Sequence, residues 1–286
     1  MAKVDWSLLA RLHRDGYSRP PAEHRITDLT AELTEMLGSP DPALRVELAL
    51  ELLTTWISAG VYDDLLPGLG DGIATGLMTG IGESGTDTVF RRSHSALVLA
   101  ECIERDTERS LVPPNQVLNW GDRLAAWFTA ERDLRSFVPE KGWANAVANG
   151  ADAIGALGRS PHLRRAELTV LLEVIGERAA NPLADVWSAG EADRLALASL
   201  SIMHRGIVPL DRVEAWTADL IDIARAEAPA SVSGPGSPAR ANINAFLRAL
   251  YLHLSLGRNQ PPGRTDILLI VIERLRTAQP GFFGRR

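Results

Sequence analysis

The side chains best suited to chemistry crowd into residues 131–158, ERDLRSFVPEKGWANAVANGADAIGALG. Asn145, Asn149 and Asp152 recur at i, i+4 and i+7, the spacing that lines one stripe of an α-helix. Two carboxamides and a carboxylate on one stripe can orient a polar ligand and accept a proton from it. Their neighbours Ala144, Ala146, Ala148, Ala151 and Ala153 are small, so a ligand or another chain can come close. Trp143, Val147, Gly150, Ile154 and Leu157 follow the same period on the other side and read as the buried stripe. Pro139 and Gly142 interrupt the chain ahead of this helix. Glu140 and Lys141 stand at its entrance, where a carboxylate is favoured and an ammonium is not. The plainer reading of such a stripe is a solvated polar face.

Proton transfer in this chain would fall to Asp152, Glu140 or His94. As a general base, His94 needs a carboxylate such as Asp152 or Glu101 to orient it, and a histidine on a helix face is the simpler reading. The six histidines are dispersed and none pairs at i, i+4. Beyond the central stretch, Asn244, Arg248 and Tyr251 repeat the i, i+4, i+7 spacing, Asp193 and Arg194 open another helix, and Arg91 and Ser95 flank His94. If these faces align, Arg91, Trp143, Asn145, Asn149, Asp152, Asp193, Arg194, Asn244, Arg248 and Tyr251 bind a ligand along one groove. The competing reading is that Arg91 pairs with Asp152, and Asp193 with Arg248, as structural ion pairs.

The elements that position these residues are all helical by periodicity and punctuation. Helices are expected over 4–14, 24–37 with Gly38 as C-cap, and 43–58 with Ser39 or Asp41 as N-cap. Further helices are expected over 63–80, 88–105 capped by Thr86 or Asp87, and 115–130 with Trp120 and Trp127 on one side. Others start at Trp143, at Ser160-Pro161 (to Ala179), at 189 (capped by Ser188, to 204) and at Pro209 (to Ala226), and the last two span 240–256 and 264–277. No segment alternates like a strand bounded by turns, and ILLIVIERL is read as a buried helix face. Residues 227–239, EAPASVSGPGSPA, read as a flexible loop. The tail GFFGRR reads as frayed unless Phe282 and Phe283 dock. First helices start near 43, 89, 143, 190 and 240, and second helices near 63, 115, 162, 210 and 264. This recurrence predicts an all-α chain, a HEAT- or armadillo-like α-solenoid of paired helices forming a single elongated domain over 1–286. The alternative is a closed α/α toroid.

Composition narrows the function. The 286 residues carry net charge −6, 45 % hydrophobic and 23 % charged residues, ordinary for a globular chain. The acidic balance argues against a nucleic-acid partner. No apolar run reaches membrane-spanning length, and the N-terminus lacks a signal-peptide core, so the expected location is the cytoplasm. The single cysteine, Cys102, rules out an internal disulfide and reads as a buried thiol. There is no Walker loop, GxGxxG after a strand, GxSxG, HExxH or CxxC, and the glycine-rich GLGDGIATG lacks the context of a phosphate cradle. No metal and no cofactor is expected.

Several stretches together resemble one bacterial family, the domain of unknown function 2785. They are GSPDPALRVELALELLTTWI, IGESGTDTVFRRSHSALVLAECI, ERDLRSFVPEKGWANAVANGADAIGAL, DRLALASLSIM and RANINAFLRALYLHL, spanning about residues 38–256. The resemblance implies an all-helical protein and no established activity. The family's pattern reads Gly-Trp-x-His-x-x-x-His-x-x-Asp, with histidines where this chain has Asn145 and Asn149. A carboxamide is a poor transition-metal ligand, so metal or acid–base work by those histidines would not carry over here. The expected function is binding of a small molecule or a protein partner on a concave polar face. The alternative is an enzyme of small-molecule metabolism, without a transition metal, whose pocket uses the same face.

Overall fold

The computed structural model describes residues 11–12, 16, 19–21, 24–181, 185–226 and 237–283. Most of the expected helix over 4–14 and of the expected loop over 227–239 lies outside the described residues. Contacts cluster into two compact units, Met1–Ala153 and Ile154–Arg286.

In the first unit, α1 (Ile26–Met36) turns Leu29, Leu33 and Met36 inward at helical spacing. Ser39 Oγ accepts the Asp41 N–H at 3.1 Å and Asp41 Oδ1 accepts the Ala43 N–H at 2.9 Å, which starts the next helix at the expected place. That helix opens as wide π turns over Ala43–Leu50 and tightens into α2 (Glu51–Ser58). A 3₁₀ turn, Asp63–Leu65, leads into α3 (Leu66–Gly76). Next come α4 (Thr88–Arg109) and α5 (Pro114–Ala130). Helix α4 packs on α2, α3 and α5, and α3 also meets α5. Trp56, Trp120, Trp127, Phe90 and Phe128 fill the centre. Cys102 is buried, as expected, and burial pushes its thiol pKa up.

Three local expectations change. Gly38 does not cap α1, whose last turn ends at Leu37. The Asp87 carboxylate does not cap α4; Lys141 Nζ takes both of its oxygens, at 2.7 and 2.8 Å. The central stretch carries a small antiparallel hairpin, β1 (Phe137–Val138) and β2 (Gly142–Trp143), so α6 runs over Ala146–Arg159 and not from Trp143. Two-residue strands leave no alternation to read. Trp143 is consequently not core: it is 50 % exposed, edge-on to Phe137 with ring centres 5.1 Å apart.

In the second unit, α7 (Arg165–Ala179) follows a turn at 160–163, and the Glu167 carboxylate accepts the Arg164 N–H at 2.9 Å. Gly190, at φ 89°, and not Ser188, precedes α8 (Glu191–His204). Then come α9 (Leu210–Ala226), α10 (Pro238–Leu256), α11 (Arg264–Ala278) and the short α12 (Pro280–Phe283). Helix α8 packs on α10, α7 on α9, α9 on α11, and α10 on α11. Ile267, Val271 and Leu275 are buried, so ILLIVIERL is the helix face expected. Among the described residues, no helix is long and apolar enough to cross a membrane.

Candidate functional site

The chemistry-rich stretch satisfies much of itself. Glu131 takes a bidentate contact from Arg92, at 2.5 and 2.9 Å, with the two side chains 1 % and 0 % exposed. It also accepts the Trp127 Nε1–H and the Asp133 N–H, both at 2.9 Å. Asp133, itself buried, accepts the Gly85 N–H at 2.9 Å and two Arg135 donors at 2.6 and 2.7 Å. Arg45 is buried from the π turns, donates to the carbonyls of Ser39 and Lys141, and lies 3.9 Å from the centre of the Phe90 ring. These contacts pin the segment 131–141 against the π turns at Ala43–Leu50 and against α4.

The predicted stripe on α6 is folded into the same network. Asn149 is 7 % exposed and donates from Nδ2 to Ser93 Oγ at 2.7 Å, while Ser93 donates to the carbonyl of Ala144. Asn145 precedes the helix at φ 49°, and its carbonyl accepts the Asn149 N–H at 2.9 Å. Its Oδ1 is buried without a hydrogen-bond partner among the described residues. Asp152 is half-buried and partnered. Glu140 is exposed on the hairpin turn at φ 65°. The reading of the stripe as a solvated face does not fit Asn149, because α6 is buried on nearly all sides.

His94 is 3 % exposed, with Nδ1 2.9 Å from the Phe90 carbonyl. Burial, together with the Arg45 charge and against that hydrogen bond, holds its pKa down to about 4. It is a neutral core imidazole. In the second unit, Asn244 faces the interior at 8 % exposure while Arg248 and Tyr251 are exposed, so their spacing does not make one exposed stripe. The Asp193–Arg248 pair of the competing reading does not form: Asp193 meets His253 Nε2 at 3.0 Å, and Arg248 donates to Gln279 at 2.7 Å. Arg194 is exposed at the start of α8.

Of the predicted residues, Arg91 opens onto a cavity, one of about 300 Å³ between α1 and α3. Its stem runs between two glycines. A Cβ on Gly38 would stand 3.3 Å from Arg91 Cβ, and one on Gly76 would stand 2.8 Å from Arg91 Nε. That Nε is buried without a hydrogen-bond partner among the described residues. Burial lowers the guanidinium pKa, and the charge of Glu35 opposes the shift. Thr30, Thr34 and Thr75 bring hydroxyls to the wall, and Leu69 and Ile73 bring apolar surface. Behind Thr30, the buried Tyr62 hydroxyl lies 2.8 Å from Thr30 Oγ1. Thr30 gives its one proton to the Ile26 carbonyl at 2.7 Å, so Tyr62 is the donor. Burial holds the Tyr62 phenol up at about 12.

The glycine-rich run is helix α3, and its glycines divide by role. A Cβ on Gly70 would stand 2.2 Å from the Trp120 ring, so packing demands that glycine. A Cβ on Gly68 or Gly72 would meet nothing within 4 Å, and both line the cavity. Sequence reasoning missed Thr30, Thr34, Glu35 and Thr75. The i, i+4 pair Gly68 and Gly72 was the available signal, since an open helix face with no packing reason for glycine marks a space.

Fold and cavity together define an all-helical protein with a small cavity of mixed polar and apolar lining, walled by helix faces. The chain belongs to the family described as Protein of unknown function (DUF2785), whose model matches residues 77–252, more than half of its length. Arg91 lies inside the matched segment, whereas Thr30, Glu35 and Gly72 precede it. Neither the curated proteins nor the solved structures include a match.

Proposed function

We propose that the protein binds a small polar ligand in the cavity between α1 and α3, as a binding protein and not as a catalyst. The observation that carries this is the Arg91 guanidinium, threaded between Gly38 and Gly76 to the wall of a cavity of about 300 Å³, with its Nε unpartnered among the described residues. A largely buried guanidinium that no carboxylate pairs directly among the described residues is costly to hold, and an anionic ligand group offsets that cost. The size suits a small metabolite. The cytoplasm is the setting we propose, in keeping with the single buried thiol. We also propose that the helices form a HEAT-like repeat of pairs. Within the second unit, first helix meets first helix (α8, α10) and second meets second (α7, α9, α11), the two-layer pattern of such repeats.

The test is a thermal-shift screen of metabolites against the native chain and a Gly72→Leu variant. The new side chain enters open space, so the variant is expected to fold and to fill the cavity. A ligand at a hundred times its Kd should stabilise the native chain by about 2.7 kcal/mol and leave the variant unmoved. A ligand that stabilises both equally would show that it sits elsewhere, and the reading would fall.

A further inference from the structure

Two opposite charges line the cavity without closing on each other. Glu35 acts on Arg91 through space, yet neither side chain forms an ion pair with the other among the described residues. The wall between them carries threonine hydroxyls and the bare backbone of Gly68 and Gly72 and, among the described residues, no aromatic ring on which a base could stack. From this unclosed pair we propose that the ligand is a small zwitterion, its anionic group against Arg91 and its ammonium against Glu35. The inference rests on the binding function proposed above and narrows the chemistry of that ligand.

The alternatives each leave a charge uncompensated. An inorganic anion or a dicarboxylate satisfies Arg91 but brings a second negative charge beside Glu35, which disfavours it. A simple amine satisfies Glu35 and adds a cation beside a guanidinium whose burial already disfavours its charge. A molecule carrying both charges completes both partners at once, and the threonine hydroxyls can accept from an ammonium or donate to a carboxylate or phosphate. Two chemistries share this pattern: an α-amino acid and an aminoalkyl phosphate.

The experiment is calorimetric titration of the full chain. The probes are the twenty common amino acids and phosphoethanolamine, followed by the des-amino and des-carboxy (or des-phospho) counterparts of the best binder. The variants are Glu35→Gln, Arg91→Gln and Gly72→Leu. The expected result is saturable binding of one zwitterion, at least tenfold weaker binding of both counterparts, and loss of binding in Arg91→Gln and Gly72→Leu. Glu35→Gln should bind the des-amino counterpart as well as the zwitterion. Whether an amino acid or phosphoethanolamine wins decides the anionic group. A des-amino counterpart that binds native protein as tightly as the zwitterion, or a Glu35→Gln variant that loses nothing, would overturn the zwitterion inference and leave the cavity reading standing. So would silence from every zwitterion while another metabolite binds natively and not in Gly72→Leu. Zwitterion binding undiminished by Gly72→Leu would overturn both. Native-like melting of each variant shows that a lost signal is lost binding.

Discussion

Arg92 and Glu131 meet almost entirely out of water, and such a pair is held by geometry more than by its net energy. Removing one partner strands the other's charge, so Glu131→Gln should cost about 3 kcal/mol or more of unfolding free energy in urea titrations. The same buried environment makes stability depend on pH through His94. Its folded pKa, about 4, lies below the ordinary histidine value near 6.5. Between those values the unfolded chain takes up a proton that the folded chain refuses. Stability should therefore be full above pH 6.5 and fall by about 3 kcal/mol as pH drops toward 4. Urea midpoints measured across that range, in native protein and in His94→Gln, check it: the variant's curve should be flatter. The residue types behind both effects were legible in the sequence; their partners were not. Glu131, Asp133 and Arg135 stood out in one stretch, but Arg92 lies 39 positions from Glu131 and no local spacing joins them. For the same reason Asn149 resembled a ligand-facing amide until Ser93 arrived beside it from another helix.

Helix α3 offers a controlled comparison between two glycines separated by one residue. Gly70→Ala drives a methyl into the Trp120 ring and should destabilise by about 1–3 kcal/mol. Gly72→Ala adds a methyl to open space and removes backbone freedom from the unfolded chain, so it should stabilise by about 0.5–1 kcal/mol. Thermal melts of the pair would show opposite signs, and equal losses would refute the assignment of Gly72 to the cavity wall. At this scale the sequence was a good guide wherever an element was long. The starts expected at 43, 63, 88, 115, 189, 209 and 264 lie close to the observed ones at 43, 66, 88, 114, 191, 210 and 264. The failures fall where a single residue decides the path. Glu140 on the hairpin turn and Asn145 just after the hairpin take left-handed conformations that few non-glycine residues adopt, and the hairpin displaces the start of α6 by about one turn.

At the largest scale the helical class was visible because each helix needs its own apolar stripe. The alignment of polar faces was not visible. It depends on helix rotation, and a quarter turn takes Asn244 from an expected groove to the core. The net charge of −6 leads to one more expectation: at about 0.1 M salt, no retardation of duplex DNA on native gels, since nothing offsets phosphate repulsion over the surface as a whole. A clear shift would mean that a local basic patch outweighs the total. The boundary between the two units falls at 153/154, inside α6 and not in a loop. A protease needs a stretch of extended chain, and here it would have to unwind a helix whose alanines and Ile154 are buried. The gene therefore has no natural seam at that point: halves expressed separately would each begin or end on half a helix, and they should be recovered as aggregates.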